Sequence, residues 1–313
     1  MKKYLMLLAS ALICAIMSPI LTSCTSEDNP AATPDPDPAT TPLADVTIMY
    51  YGHGGGNMDE DHIGKLRKLY SAEASCYEHV KIALEYKFST TRNLPKYSND
   101  ETKKYVEERI KNEGKEAEAK VSNDTYLRWI DPEGSSTFRF VLDPTQTLKE
   151  QVDANYLPGK NADITNPDSL TNFINWAAQA CPAKKYVLVL NDHGGGYLPD
   201  KEVFKGNAAT TRGVIFDNGN EYKCFSALSI AYALKAASIR PDVIYFDACL
   251  MNTLEYMFEL KDLTDYIVAS TFNSYAAAPY ITLVELLSKT PDQLKYDLGR
   301  YTEYCVKYFD SDD

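Results

Sequence analysis

Three short apolar runs, spaced by helical stretches, most constrain what this chain can fold into. Residues 185–190 are almost continuously apolar, as a strand buried on both faces requires. Residues 243–246 make a second such run just after Pro241, and residues 266–269 make a third. An Ala- and Leu-rich helix over 226–237 separates the first two, and a helix over 253–260, capped by Asn252, separates the last two. Strand, helix, strand, helix, strand predicts an α/β fold with a mostly parallel central sheet flanked by helices.

The first half reads less sharply. Residues 46–51 predict a strand ended by Gly52, residues 80–87 alternate as a strand does, and 138–142 is a further strand. Helices are expected over 58–72 and over the Lys- and Glu-rich stretch 100–119. Asp168 is placed to cap a helix running to about residue 180, with Leu170, Phe173, Ile174 and Ala177 on one face. Residues 213–216 read as a short strand, and an amphipathic segment carries Leu294, Leu298, Tyr301 and Cys305.

The beginning of the chain has another character. Lys2 and Lys3 precede an apolar stretch over 4–17, about the length of a secretory signal core and short for a membrane span. Leu21-Thr22-Ser23-Cys24 then resembles a bacterial lipobox, in which the Cys becomes the lipidated first residue. Pro30, Pro34, Pro36, Pro38 and Pro42 follow among Ala, Thr and Asp, a composition that cannot bury apolar area and makes a tether. The expected organisation is a lipoprotein signal at 1–23, a Pro-rich tether at 24–43 and a folded domain at 44–313 whose C-terminal completeness is open. Cys24 would anchor an exported bacterial lipoprotein to the bilayer of the cell envelope, at the outer membrane or facing the periplasm.

The 313 residues allow one large domain or two small ones, and the net charge of -12 comes without any basic block. Phosphate binding needs clustered Lys and Arg, so nucleic acid is excluded as the main partner. Of the seven cysteines, Cys14 lies in the signal and Cys24 is the anchor, leaving Cys76, Cys181, Cys224, Cys249 and Cys305. Five is odd, so at least one thiol stays free in an exported protein. None forms a Cys-x-x-Cys pair, so no zinc site is expected, nor any required cofactor.

Chemistry points to two places where polar residues follow buried strands. One is Asn191-Asp192-His193-Gly194-Gly195-Gly196 and the other is Asp247-Ala248-Cys249-Leu250-Met251. Open α/β sheets place their sites at that edge. A thiol nucleophile needs an exposed Cys, a His close to it, and backbone N–H groups aimed at the developing oxyanion. His193 and Cys249 lie 56 residues apart, on segments that a helical crossover would set side by side. The bland alternatives are a small buried apolar Cys and a loop His beside a Gly turn.

These two motifs resemble the clostripain family of cysteine peptidases, convincingly over residues 185–270. Gly56-Asn57-Met58-Asp59-Glu60 is weakly similar to the family's opening segment. The resemblance implies a caspase-like fold, shared with caspases, gingipains and legumain. It also implies an endopeptidase acting on proteins or peptides, with Cys249 as nucleophile and His193 as general acid; a monomer is expected. The N–H groups of Gly194 and Cys249 would form the oxyanion hole. Asp247 would lie in the pocket for the P1 side chain and pair with Arg or Lys. An Asp bonding nearby loop N–H groups is the alternative. Where relatives often carry acids after residue 270, this chain has Thr271-Phe272-Asn273-Ser274-Tyr275, which weakens the basic expectation. Relatives are often cut between His and Cys, so Lys201, Lys205 and Arg212 in the 197–212 loop are candidate self-cleavage points, a plain surface loop being the alternative. A calcium ion is allowed by the resemblance.

His53, in Gly52-His53-Gly54-Gly55-Gly56, repeats the His-Gly-Gly-Gly pattern and is expected at the rim of the site, in reach of substrate. A serine esterase, which also uses such a motif, needs Gly-x-Ser-x-Gly, and the chain contains none. A catalytically inactive surface binding protein on the same fold is the remaining alternative.

Overall fold

The computed structural model describes residues 43–89, 136–157, 162–197, 213–273 and 279–310. A six-stranded sheet forms the centre. Its strands are β1 (Ala44–His53), β2 (Val80–Lys87), β3 (Thr137–Val141), β4 (Ala183–Asn191), β7 (Val243–Asp247) and β8 (Tyr266–Val268). They lie in the order β3-β2-β1-β4-β7-β8, with β2 and β3 antiparallel and every other pair parallel. A small antiparallel hairpin, β5 (Val214–Asp217) with β6 (Lys223–Phe225), forms a second sheet.

The apolar runs become the central strands because both faces of the sheet are covered. Val187 and Val189 of β4, with Val243 and Tyr245 of β7, face one core. Leu188, Leu190, Ile244 and Phe246 face the other. On the first side pack α1 (Asp59–Leu69), α2 (Cys76–His79), α3 (Leu148–Ala154), α7 (Tyr280–Lys289) and α8 (Leu294–Asp310). On the second pack α4 (Pro167–Ala180), α5 (Ala227–Ala236) and α6 (Leu254–Leu260).

Two expected caps move by one or two residues. The helix assigned to Asp168 is capped by Asn166, whose side chain accepts the Asp168 N–H at 2.9 Å, and Pro167 occupies the first turn. Thr253, not Asn252, stands at the N-cap of α6, while the Asn252 amide reaches Thr271. Helices α2, α3 and α7 and strand β6 were not anticipated. The helix expected over 100–119 lies outside the described residues. No described helix is long and apolar enough to cross a membrane.

The order of the strands sets the site. From β1 the chain moves to β2 on one side, and β4 joins β1 on the other. The C-terminal ends of β1, β4 and β7 therefore open side by side at a topological switch point.

Candidate active site

Strands β4 and β7 are parallel and in register, with Asn191 opposite Asp247. His193 and Cys249 each follow two residues later, so both motifs leave adjacent strands at the same level. The approach of the two chains is close. A Cβ on Gly194 would lie 2.0 Å from the Cys249 carbonyl oxygen and 2.9 Å from its nitrogen. Only glycine fits there. His193 and Cys249 are both partly exposed, whereas Asp192 and Ala248 beside them are buried.

The backbone after His193 is tied to the hairpin. Ile215 N–H donates to the His193 carbonyl at 3.2 Å and Gly195 N–H to the Gly213 carbonyl at 2.8 Å, which makes Gly194 and Val214 a bridge pair. In such a non-hydrogen-bonded antiparallel pair the residue's own N–H points away from the partner strand. The Gly194 N–H is thereby turned from β5. Asp192 Oδ2 accepts the Phe216 N–H at 2.7 Å, and burial pushes this carboxyl well above the usual carboxylate range. Two residues here hold a left-handed backbone without being glycine, Ile215 at φ 59° and Leu250 at φ 60°. Strain of this kind gathers where surrounding structure imposes a geometry.

A third loop completes the site, from the end of β1. His193 Nε2 hydrogen-bonds Asn57 Oδ1 at 2.7 Å. Since a carbonyl oxygen only accepts, Nε2 carries the proton, and Nδ1 of the neutral ring is the basic nitrogen. Burial, and then the nearby His53, hold the His193 pKa below the usual histidine value. Gly55, at φ 56°, lets this loop in: a Cβ there would meet Asp192 Oδ1 at 2.3 Å and His193 Cδ2 at 2.6 Å. The loop is pinned from below, where Asp59 accepts the Tyr86 hydroxyl at 2.8 Å and the Ser89 N–H at 3.2 Å. Asn57 lies in the segment read as a weak opening match, but its contact with His193 was not foreseen. The two are 136 residues apart, and no local pattern links them.

The structure corrects the reading of His53. It is fully buried, not at a rim. Its Nδ1 bonds the Lys87 carbonyl at 2.8 Å, so that nitrogen carries the proton, and its Nε2 accepts the Asn218 N–H at 3.2 Å. Burial lowers its pKa, so it serves as a neutral strut between β2 and the β5–β6 turn. Lys87 beside it is paired with Asp217 at 2.7 Å.

Asp247 lies on the face of β7 opposite Phe246, buried beneath the site. Its Oδ2 accepts from Lys65 Nζ at 2.9 Å, Asn191 Nδ2 at 2.6 Å and the Tyr280 hydroxyl at 2.6 Å. Cys24, Lys201, Lys205 and Arg212 lie outside the described residues. Cys76, Cys181, Cys224, Cys249 and Cys305 are in no disulfide. Burial raises the Cys181 thiol to about 12 and the Cys305 thiol to about 11, which makes both poor nucleophiles. Among the described residues no three His, Cys, Asp or Glu side chains gather in a way that could hold a metal ion.

The clostripain family model matches residues 97–312. Clostripain from Hathewaya histolytica is 25% identical over 241 residues, which is 69% of this chain and 36% of that protein. A solved secreted C11 cysteine protease from Bacteroides thetaiotaomicron, in complex with an irreversible peptide inhibitor, aligns with a TM-score of 0.50 and 17% identity. The alignment covers 78% of this chain and 54% of that one. The chain thus spans about a third of the curated relative and about half of the solved one.

Proposed function

The chain belongs to the clostripain family of cysteine peptidases and has its caspase-like fold, and from that premise we propose that it is an endopeptidase working through His193 and Cys249. The carrying observation is the close in-register approach of the two strand ends, which leaves no room for a Cβ between Gly194 and Cys249.

In this reading the Cys249 thiol gives its proton to Nδ1 of His193, and the thiolate attacks the scissile carbonyl. The N–H groups of Gly194 and Cys249 hold the oxyanion. His193 then protonates the leaving amine, the acyl group stays on Cys249, and water releases it with His193 as base. Asn57 keeps the ring in the required tautomer and is a positioning residue. No third carboxylate is needed: Asp192 points into the fold toward Phe216, and burial favours its neutral form.

The finer points rest on the resemblance. Arg or Lys at P1, recognised through Asp247, is the proposed preference. Self-cleavage at Lys201, Lys205 or Arg212 would be consistent with it. Lipidation at Cys24 would hold the protein at the cell envelope, where protein or peptide substrates reach it. A fluorogenic peptide library varied at P1 tests the activity. Cleavage by the wild-type chain, lost in Cys249→Ala and in His193→Ala, supports the reading, and cleavage retained by Cys249→Ala contradicts it. Processing of Cys249→Ala when purified alone would rule out self-cleavage.

A further inference from the structure

The carboxylate proposed to meet a basic P1 side chain already has a cation. Lys65 sits mid-helix in α1, 182 residues from Asp247 in sequence, and its ammonium lies 2.9 Å from Asp247 Oδ2. Both side chains are only 5% exposed. Lysine is seldom so buried unless it is paired. The rest of the cluster fixes the pair in place. Tyr50 donates to Asn191 Oδ1 at 2.5 Å, which turns the Asn191 amide N–H toward Asp247. The Tyr280 hydroxyl donates to Asp247 Oδ2, and its ring lies 5.9 Å from the Lys65 ammonium. His62, one turn earlier on α1, is buried, and burial drives it to the neutral form. Asp247 is the one carboxylate within ion-pair reach of Lys65 among the described residues.

We propose that Lys65 is a specificity-determining residue, a resident counter-ion that tempers the preference for Arg or Lys at P1. The proposal rests on the peptidase reading and on Asp247 as the P1 carboxylate. A second cation arriving at an ion pair gains the attraction of the carboxylate and meets the repulsion of the first ammonium, so most of the net attraction cancels. Three donors already crowd Oδ2, which leaves Oδ1 for an incoming group. The two-oxygen grip that favours Arg is thus not on offer. Neutral P1 side chains lose nothing by this arrangement, so the selectivity ratio narrows.

The test compares kcat/KM for peptides differing only in P1 Arg, Lys, Gln or Leu, in the wild-type chain, Lys65→Gln and Lys65→Arg. Gln keeps an N–H donor for Oδ2 and removes the charge. The Arg-to-Gln ratio should rise about tenfold in Lys65→Gln, the scale of a regained hydrogen bond to a charged group. It should stay near wild type in Lys65→Arg. An unchanged ratio in Lys65→Gln, folded by circular dichroism, would overturn the proposal. If Lys65→Gln does not fold, the Lys65→Met/Asp247→Asn double variant removes both charges together. A ratio near wild type then supports resident neutralisation, and a collapsed ratio overturns it. A second arm needs no turnover. Benzamidine, an amidinium like the Arg head group, is titrated into Cys249→Ala with and without Lys65→Gln. Tighter binding with Lys65→Gln supports the proposal and equal binding overturns it. Absence of cleavage by the wild type would refute the peptidase reading and the P1 role with it, and benzamidine would then report only whether Lys65 weakens cation binding at Asp247.

Discussion

At the scale of single residues, the site depends on two contacts, one fixing the ring and one the backbone. Asn57 holds His193 through one hydrogen bond, so Asn57→Ala frees the ring to turn and to change tautomer. A fall of about a hundredfold in kcat/KM is expected, the usual cost of misplacing a reacting group. Asn57→Asp, which keeps the acceptor, should recover most of it. A purely structural role for Asn57 would instead lower stability and leave the pH profile of Cys249 alkylation unmoved. Gly194→Ala puts a methyl group onto the Cys249 carbonyl and displaces the N–H proposed to hold the oxyanion. Loss of about a hundredfold to a thousandfold in kcat is expected, with KM less affected. Burial disfavours the imidazolium of His193. The acid limb of kcat/KM should therefore lie below the ordinary histidine range, and a limb at or above that range would contradict the assigned environment.

At the scale of elements, the strands that build the site were legible and the contacts that tune it were not. Strands β4 and β7 could be read because doubly covered strands need unbroken apolar runs, and each ends at its motif. Helix α4 was found from its apolar face, but the cap was assigned to Asp168. An extended Asn166 before Pro167 satisfies the first turn instead. Asn166→Ala should lower the urea midpoint by the equivalent of about 1 kcal/mol and leave peptide cleavage unchanged. Helix α7 was missed although Leu283, Val284 and Leu287 have helical spacing. It starts after Pro279 with no side-chain cap to announce it. Tyr280, which completes the Asp247 cluster, sits at its first turn. His53 reads as a rim residue because its His-Gly-Gly-Gly segment looks like the one at His193. What separates them is depth: β1 runs through His53, whereas β4 stops two residues before His193.

At the scale of the whole molecule, the buried histidines tie stability to pH. Burial depresses the His62 pKa in the folded state. Its contribution is present above the ordinary histidine pKa and is lost as pH falls from there through the depressed folded pKa, because the unfolded chain then binds the proton more readily. His53 acts in the same sense. The raised pKa of Asp192 acts in the opposite sense, so the comparison of interest is between variants. Between about pH 7.5 and pH 5.5, His62→Leu should lose less of its urea midpoint than the wild type does. Equal losses would mean that His62 does not titrate between the folded and unfolded states.

The central claim is that one thiol and one imidazole, brought from separate strands to a common edge, act as a nucleophilic pair. Mass-spectrometric mapping of the adduct left by a peptidyl acyloxymethyl ketone tests it most directly. The account predicts a single modified residue, Cys249, with modification slowed strongly in His193→Ala. Modification at Cys76, Cys181, Cys224 or Cys305, or a Cys249 adduct that forms as fast without His193, would contradict it.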